Sequence, residues 1–217
     1  MAQKREIPYI WVTWLTKLLV GENSCEWAGW FRSNHLNSSF DKIPTSFDAA
    51  EWQINHTTLL NAAREDLEDK GWTVFTEHQN TFKLRGSSAI LGGKPDLIAV
   101  SDNKGIILDV KTGQPSPSHH LQVLLYMYAV PKALRQYLGV AFEGRVVYPN
   151  HLDYVPSNGV DSNFVNNFSQ LIKRLASSQP ARRVPSNLEC SFCNITNIDC
   201  PDRIESEEER LQDTEDF

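Results

Sequence analysis

The sequence predicts an α/β fold of the α+β type, in which a mixed, mostly antiparallel sheet is flanked by helices. Short runs rich in β-branched residues alternate with turn residues, and longer runs with helical spacing lie before and after them. The 217 residues are 41 % apolar and 22 % charged, a composition typical of a globular protein. A chain of this length can bury a substantial core as one large domain.

Three helices are expected before the first strand. Residues 13–20 have helical spacing and precede Gly21, a residue that commonly ends a helix, and a second helix is expected over residues 25–31. The third helix spans residues 49–70, with Asp48 as its N-cap. Its apolar stripe consists of Leu59, Leu60, Ala63 and Leu67.

The remaining elements alternate between strands and helices. Residues 72–77 and 81–85 are expected to form neighbouring antiparallel strands, and residues 142–149 a later strand that pairs with residues 152–155. Helices are expected over the segments 118–129 and 163–176, which have apolar residues at helical spacing.

Residues 94–111 predict a β-hairpin, because two apolar runs flank a segment of turn composition. With the loop centred on residues 103–104, alternation places Asp96, Asp109 and Lys111 on one face, near the same end of the ladder. The other face is wholly apolar. The expected cross-strand pairs are Ser101 with Ile106, Ile98 with Asp109, and Asp96 with Lys111.

Two acids and a lysine beside an apolar hairpin are costly to bury unless they bind something. The carboxylate oxygens of Asp96 and Asp109 are hard ligands that suit Mg²⁺ or Mn²⁺. Lys111 can then face an anionic substrate or a nucleophilic water. The alternative is an ordinary surface hairpin with solvated charges.

The order of these residues carries a resemblance. Pro95-Asp96, twelve intervening residues and then Asp109-Val110-Lys111 resemble the signature of the PD-(D/E)xK nucleases. The resemblance implies a restriction-endonuclease-like core. It also implies that the Val110 carbonyl joins the two acids as a metal ligand, and that Lys111 positions or deprotonates the attacking water.

A second motif resembles the RecB-type branch of these nucleases. Gln122 and Tyr126 lie four residues apart on one face of an expected helix. In that branch the pair lies beside the metal site and contacts DNA or orders the site. The resemblance also implies that His56 is a metal ligand, whereas a lone histidine on such a helix is usually structural.

The four cysteines extend the resemblance. Cys190, Cys193 and Cys200 form a Cys-x₂-Cys-x₆-Cys pattern, which in a reducing compartment indicates metal ligands rather than disulfides, and Cys25 is the fourth thiol. This arrangement resembles the iron–sulfur nucleases of the RecB/AddB type, and above all the CRISPR-associated RecB-like exonucleases with a [4Fe–4S] cluster. A Cys₄ zinc site and a disulfide remain alternatives.

The resemblance implies a metal-dependent exonuclease that acts on single-stranded DNA or DNA ends, in CRISPR spacer acquisition beside the integration proteins or in DNA repair. The chain departs from the family pattern in the long x₆ gap before Cys200 and in Asp109, where the family often has Glu. One alternative is a DNA-end-binding accessory subunit with a vestigial site. Another is a repair exonuclease unconnected with CRISPR.

The net charge of −6 resides in the last sixteen residues. Residues 202–217 contain eight acids and two arginines, so residues 1–201 are neutral overall. A neutral body argues against binding nucleic acid through bulk charge alone, but a metal-dependent nuclease takes its local charge from the ions. We expect the acidic segment to be disordered, with a partner-binding or DNA-mimicking role as the alternative.

Residues 1–201 are expected to form one nuclease domain, with a core over about 48–178 and cluster-binding segments at 9–32 and 180–201. No apolar run reaches the length of a membrane span, and no signal peptide is evident. The expected location is therefore cytoplasmic.

Overall fold

The structure is a computed structural model that describes residues 2–44 and 48–205. Two sheets and the helices around them make up the fold. The strands are β1 Tyr9–Trp11, β2 Thr73–Thr76, β3 Phe82–Arg85, β4 Ile90–Gly93, β5 Leu97–Ser101, β6 Lys104–Val110, β7 Ala141–Val147 and β8 Leu152–Val155. The helices are α1 Val12–Leu19, α2 Glu26–Asn34, α3 Ala49–Asp69, α4 Glu77–Asn80, α5 Pro117–Ala133, α6 Ser162–Leu175 and α7 Asn187–Ser191.

The larger sheet has the strand order β2-β5-β6-β7-β8. β6 and β7 are parallel, and the other neighbours are antiparallel. α5 makes the crossover that a parallel pair requires, and it packs on one face of the sheet while α3 packs on the other. The predicted fold class, a mixed and mostly antiparallel sheet flanked by helices, is therefore confirmed.

The smaller sheet corrects one predicted pairing. Residues 81–85 do not pair with residues 72–77, because the one-turn helix α4 lies between them and β3 pairs with β4 instead. A capping box formed by Thr76 and Gln79 starts α4 and ends the strand. β1 adds a parallel strand to β4, so the sheet has the order β1-β4-β3.

The central hairpin forms, but its predicted register was wrong by two residues. Ser101 pairs with Lys104, and the turn consists of Asp102 and Asn103, with Asp102 at φ 51°. Short polar residues tolerate this left-handed conformation better than others. Because side chains alternate with a period of two, a slide of two residues preserves both faces. Continued by one step, the register places Asp109, rather than Lys111, opposite Asp96.

The long helix α3 begins where the sequence predicted. The Asp48 side chain accepts hydrogen bonds from the backbone amides of Ala50 and Glu51, both at 3.0 Å. The predicted stripe of α3 packs on the apolar face of the hairpin. That cluster comprises Leu67, Leu97, Ala99, Ile106, Leu108 and Val110, with Leu59, Leu60 and Ala63 at its edge.

The other face of the large sheet belongs to the main core, together with α1, α2, α5 and α6. Within residues 2–44 and 48–205, no helix is long and apolar enough to cross a membrane. The prediction of disorder for residues 202–217 falls largely on residues 206–217, which lie outside the described part of the chain. The division into a nuclease core and cluster-binding segments stays a prediction.

Candidate active site and cysteine cavity

The two predicted acids meet at the end of the central hairpin. Asp96 immediately precedes β5 and is 9 % exposed, and Asp109 lies near the end of β6 and is 1 % exposed. Asp96 Oδ2 accepts a hydrogen bond from the Val110 amide at 2.7 Å. His56 reaches this site from α3, with its Nε2 3.4 Å from the same oxygen. The pairing of β5 with β6 thus brings together the residues that the sequence predicted.

Asp109, Lys111 and Gln122 form a closed ring of polar contacts. Lys111 Nζ lies 2.6 Å from Asp109 Oδ2 and donates a hydrogen bond to Gln122 Oε1 at 3.0 Å. Gln122 Nε2 donates to Asp109 Oδ1 at 3.0 Å. A glutamine amide can fill this place because it offers an acceptor to the ammonium and a donor to the carboxylate.

Tyr126 holds Gln122 in place within this ring of polar contacts. Gln122 Nε2 also donates to the Tyr126 hydroxyl at 3.1 Å, and that hydroxyl donates to the Lys94 carbonyl at 3.3 Å. Tyr126 is 2 % exposed, so the structure places this predicted substrate-binding residue in the core rather than at the surface. Gly93 makes room for it, since an added Cβ there would lie 2.8 Å from the tyrosine ring.

Burial and charge shift the pKa values at this site. Burial raises the pKa of Asp109 to about 6, against the opposing effect of Lys111, and the nearby charge of Asp96 raises it further. The hydrogen bond that His56 donates to the Asp96 carboxylate raises the pKa of His56, although burial opposes the shift. Burial also raises the pKa of Tyr126 far above its ordinary value, so its hydroxyl stays protonated.

One cavity of about 310 Å³, which we call the oxygen-rich cavity, is lined by His56, Asp96, Asp109, Lys111 and Gln122. Seven of its lining residues were not predicted from the sequence: Trp52, Glu77, Lys94, Thr112, Gly113, Gln114 and His119. Lys94 and Glu77 form an ion pair at its edge. Two of the seven could have been found from the sequence, because Lys94 adjoins Pro95-Asp96 and His119 lies three residues before Gln122 on the same helix.

The donors at this cavity fit a hard divalent ion by chemical type. Asp96 and Asp109 supply carboxylate oxygens, which are usual ligands of Mg²⁺ and Mn²⁺, and His56 adds an imidazole nitrogen, which is a softer donor. Asp109 Oδ2 is buried without a well-aligned hydrogen-bond donor, and its close partner is the Lys111 ammonium. Nowhere in residues 2–44 and 48–205 do three His, Cys, Asp or Glu side chains converge closely enough to surround one ion.

The four cysteines line a second cavity, of about 350 Å³. Cys25 is the N-cap of α2, and Cys190 lies in the short helix α7, which the sequence analysis did not predict. Cys193 and Cys200 follow α7. All four are free cysteines, so the disulfide alternative is not what the structure contains.

Two of the four cysteine sulfurs accept hydrogen bonds from nitrogen donors. Arg32 Nη2 donates to Cys193 Sγ at 3.5 Å, and the Ile204 amide donates to Cys190 Sγ at the same distance. Burial raises the pKa of Cys200, against the opposing charge of Arg183. Hydrogen bonds from N–H groups stabilise thiolate sulfur, so this environment suits cysteines that act as metal ligands.

A four-residue loop, residues 22–25, is held to the cysteine segment at one end. The Glu189 carboxylate of α7 accepts hydrogen bonds from the Ser24 amide at 2.9 Å and from the Cys25 amide at 3.1 Å. Glu189 is the residue before Cys190, so its carboxylate ties the backbone of Cys25 to the helix that carries Cys190.

The other end of loop 22–25 is held to the helix of the active site. Glu22 Oε1 accepts hydrogen bonds from the Ser116 hydroxyl at 2.6 Å and from the Ser118 amide at 3.3 Å. Ser116 is the N-cap of α5, the helix that carries Gln122. The loop therefore connects the two cavities by direct contacts.

A family model and a solved structure match this chain. A sequence model of the PD-(D/E)XK nuclease superfamily matches residues 26–201. A solved structure described as the crystal structure of SSO0001 is 19 % identical, covers 93 % of this chain and 90 % of its own, and has a TM-score of 0.47. Comparison with curated proteins gives no match. The range matched by the superfamily model contains every residue of the oxygen-rich cavity.

Proposed function

The chain belongs to the PD-(D/E)XK nuclease superfamily, and on that premise we propose that it is a metal-dependent DNA exonuclease. Its substrates would be single-stranded DNA or DNA ends. The observation that carries the proposal is the closed ring of Asp109, Lys111 and Gln122 beside Asp96 in one cavity. Such a ring holds an ammonium in a fixed place next to carboxylates, which suits the binding and hydrolysis of a phosphodiester.

Asp96, Asp109, His56 and the Val110 carbonyl would hold Mg²⁺ or Mn²⁺. When bound, such an ion lowers the pKa of a water molecule and neutralises charge on the scissile phosphate. The protein contributes rigid donors, because Asp96 is fixed by the Val110 amide and Asp109 by the amide of Gln122.

Lys111 would orient the attacking water and bind a phosphate oxygen. Its ammonium is held between Asp109 and Gln122, so little reorganisation is needed as negative charge develops in the transition state. Gln122 is oriented in turn by Tyr126. We assign Tyr126 a positioning role, since its burial keeps it from direct contact with DNA.

The four cysteines would hold a [4Fe–4S] cluster with a structural role. The four cysteines line one cavity of about 350 Å³, and two of their sulfurs accept hydrogen bonds from N–H groups, as thiolates that ligate iron commonly do. Zinc bound by the same four thiolates is the alternative. The cluster would fasten the N-terminal helices to the C-terminal segment.

The resemblance to RecB-like nucleases supports a cytoplasmic role in CRISPR spacer acquisition, with integration proteins as partners, or in DNA repair. The second candidate function is a DNA-end-binding accessory subunit of a larger complex. The complete set of acids, lysine and glutamine around the cavity supports the enzyme over the accessory subunit.

The decisive experiment is cleavage of end-labelled single-stranded DNA with Mn²⁺. Asp96→Ala and Lys111→Ala should each lower the rate on the order of a hundredfold or more, because each removes a contact to the transition state. The matched controls are Asp66→Ala and Lys70→Ala, which change an exposed ion pair at the C-terminal end of α3. Both variants should cleave at the parental rate.

Parental cleavage by Asp96→Ala or Lys111→Ala would disprove the assigned site. A parent protein that binds DNA ends but does not cleave them with either ion would support the accessory subunit instead.

A further inference from the structure

His119 lies at the oxygen-rich cavity without a role in the mechanism above. It occupies the first turn of α5, three residues before Gln122, and its half-buried ring lines the same cavity as Asp109 and Lys111. Histidine is a versatile donor and acceptor, so what it can do here depends on which ring nitrogen carries the proton.

Tyr148 fixes that choice. His119 Nδ1 lies 2.9 Å from the Tyr148 hydroxyl. A phenol is a stronger hydrogen-bond donor than a neutral imidazole N–H, and an unprotonated imidazole nitrogen is a stronger acceptor than a phenol oxygen. We therefore assign the hydroxyl hydrogen of Tyr148 to the contact with His119 Nδ1. A neutral imidazole that accepts at Nδ1 carries its own proton on Nε2.

Packing keeps this pair in place. Tyr148 is 3 % exposed, and its ring stacks on His151 with centroids 4.4 Å apart and an interplanar angle of 10°. The tyrosine therefore cannot follow His119 if the histidine ring turns away. The side of the imidazole that is not bound to Tyr148 is left for a ligand in the cavity.

His119 is neutral at physiological pH. Burial lowers the pKa of His119 to about 4, and the positive charge of Lys111 lowers it further. A neutral imidazole can donate a hydrogen bond to developing negative charge while adding no positive charge that would compete with a bound cation.

We propose that His119 is a further substrate-contacting residue, which donates its Nε2 hydrogen to an oxygen of the phosphodiester bound beside Asp109 and Lys111. The proposal rests on the proposed nuclease function and deepens it. No proton is transferred in this contact, because the imidazole acts as a hydrogen-bond donor to the charge that grows on phosphate oxygen in the transition state.

His120 provides a matched control from the same helical turn. Its Nε2 lies 2.9 Å from Asp153 Oδ2, so its ring is engaged with β8. His120 is absent from the described lining of the cavity. A variant of His120 removes an imidazole adjacent in sequence without removing the proposed contact.

The test compares His119→Ala, His119→Gln and His120→Ala in Mn²⁺-dependent cleavage of single-stranded DNA. His119→Ala should lower kcat on the order of tenfold to a hundredfold, with DNA affinity and Mn²⁺ affinity nearly unchanged. His119→Gln should recover part of the loss, because its amide can donate a hydrogen bond. His120→Ala should match the parent.

Tyr148→Phe refines the test. It keeps the ring that stacks on His151 but removes the hydroxyl that sets the proton of His119. We expect a smaller fall in kcat than for His119→Ala, and little further loss when the two changes are combined, because both act on one contact.

Parental kcat in His119→Ala, with an active parent, would overturn this inference alone. A loss of activity that follows a lower Tm or weaker Mn²⁺ binding, and that His119→Gln does not restore, would assign a structural role and overturn it too. A parent protein with no cleavage would overturn the nuclease function itself, and this inference with it.

Discussion

The two cavities of this protein are built in opposite ways. The side chains of the oxygen-rich cavity lie on or beside regular strands and helices and hold one another through hydrogen bonds, as in the ring around Gln122. The sulfur-lined cavity is formed by residues at a helix start, in one short helix and in loops. Its cysteines come from segments 165 residues apart and are joined by no disulfide within the described part of the chain.

This difference predicts how each cavity depends on its cofactor. The ring of Asp109, Lys111 and Gln122 is complete from protein atoms, so the active site should keep its shape without a divalent ion. The thiols of the cysteine cavity are free and not joined by disulfides among the described residues, so the order of that cavity should depend on the cofactor that the sulfurs bind. The following variants test the contrast, from the largest expected effect to the smallest.

Asp109→Asn should separate the two cavities most sharply. Loss of the carboxylate should lower cleavage on the order of a hundredfold or more. Iron content should not change, and Tm should stay level or rise, because burial opposes the charge of Asp109. Cleavage assays, iron analysis and thermal melts measure the three quantities. A colourless Asp109→Asn protein would contradict the independence of the two sites.

Cys190→Ala should produce the converse result. The protein should lose its brown colour and about four iron atoms per chain, and its Tm should fall by more than about 5 °C, because the cofactor joins the chain ends. At a temperature below the lowered Tm, the rate of DNA cleavage should fall less in Cys190→Ala than in Asp109→Asn. Ser191→Ala, one residue away and exposed, is the control. A colourless parent with one tightly bound zinc would replace the iron–sulfur proposal with the zinc alternative.

Mn²⁺ affinity should decrease as the pH falls below about 6. Asp109 has its pKa raised to about 6, so protons compete with the ion below that value. The affinity should fall about tenfold per pH unit in that range for the one proton displaced. Asp109→Asn should show weaker binding and a smaller slope. Calorimetry or Mn²⁺ spectroscopy between pH 5 and pH 8 would check this, and a flat profile would contradict it.

The same shift predicts an effect of pH on the metal-free protein. The folded state raises the pKa of Asp109 above 3.8, so it binds more protons than the unfolded chain between pH 3.8 and about 6. The contribution of Asp109 to stability is therefore lost as the pH rises through that window. Asp109→Asn should lack this contribution, as denaturant titrations at pH 4 and pH 7 would show.

The smallest expected effect concerns the contact between the cavities. Glu22→Ala removes the carboxylate that binds Ser116 and Ser118 at the start of α5. Loss of such a capping interaction lowers the stability of the helix start by about 1 kcal/mol. Because α5 carries Gln122, we expect kcat to fall about two- to fivefold. Glu65→Ala, on the exposed side of α3, is the control. If iron removal lowers kcat equally in the parent and in Glu22→Ala, loop 22–25 does not couple the sites.

Much of the active site could be predicted because strand and helix periods fix which side chains share a face. The predicted hairpin register was off by two residues, yet Asp96, Asp109 and Lys111 still met, since an even slide keeps the faces. The spacing of Gln122 and Tyr126 likewise predicted one helix face. The hydrogen bonds of the ring could not be predicted, because they depend on how α5 crosses the sheet.

The small sheet could not be predicted from the sequence. β1 and β4 have three and four residues, and they pair across about eighty positions of sequence. Such short strands have no periodicity to detect, and β4 contains Gly92 and Gly93, residues depleted in strands. The cysteine spacing predicted a shared site, but the helix α7 and the contacts of Glu22 and Glu189 depend on tertiary packing alone.

Loop 22–25 should transmit damage at the cysteine cavity to the oxygen-rich cavity. Four residues span at most about 14 Å, so whatever displaces the Cys25 end of the loop also strains the end at Glu22. Loss of the proposed iron–sulfur cluster to an oxidant would thus lower the rate of the proposed DNA cleavage without changing a carboxylate of the site. A damaged copy of the protein would then become slow before it unfolds.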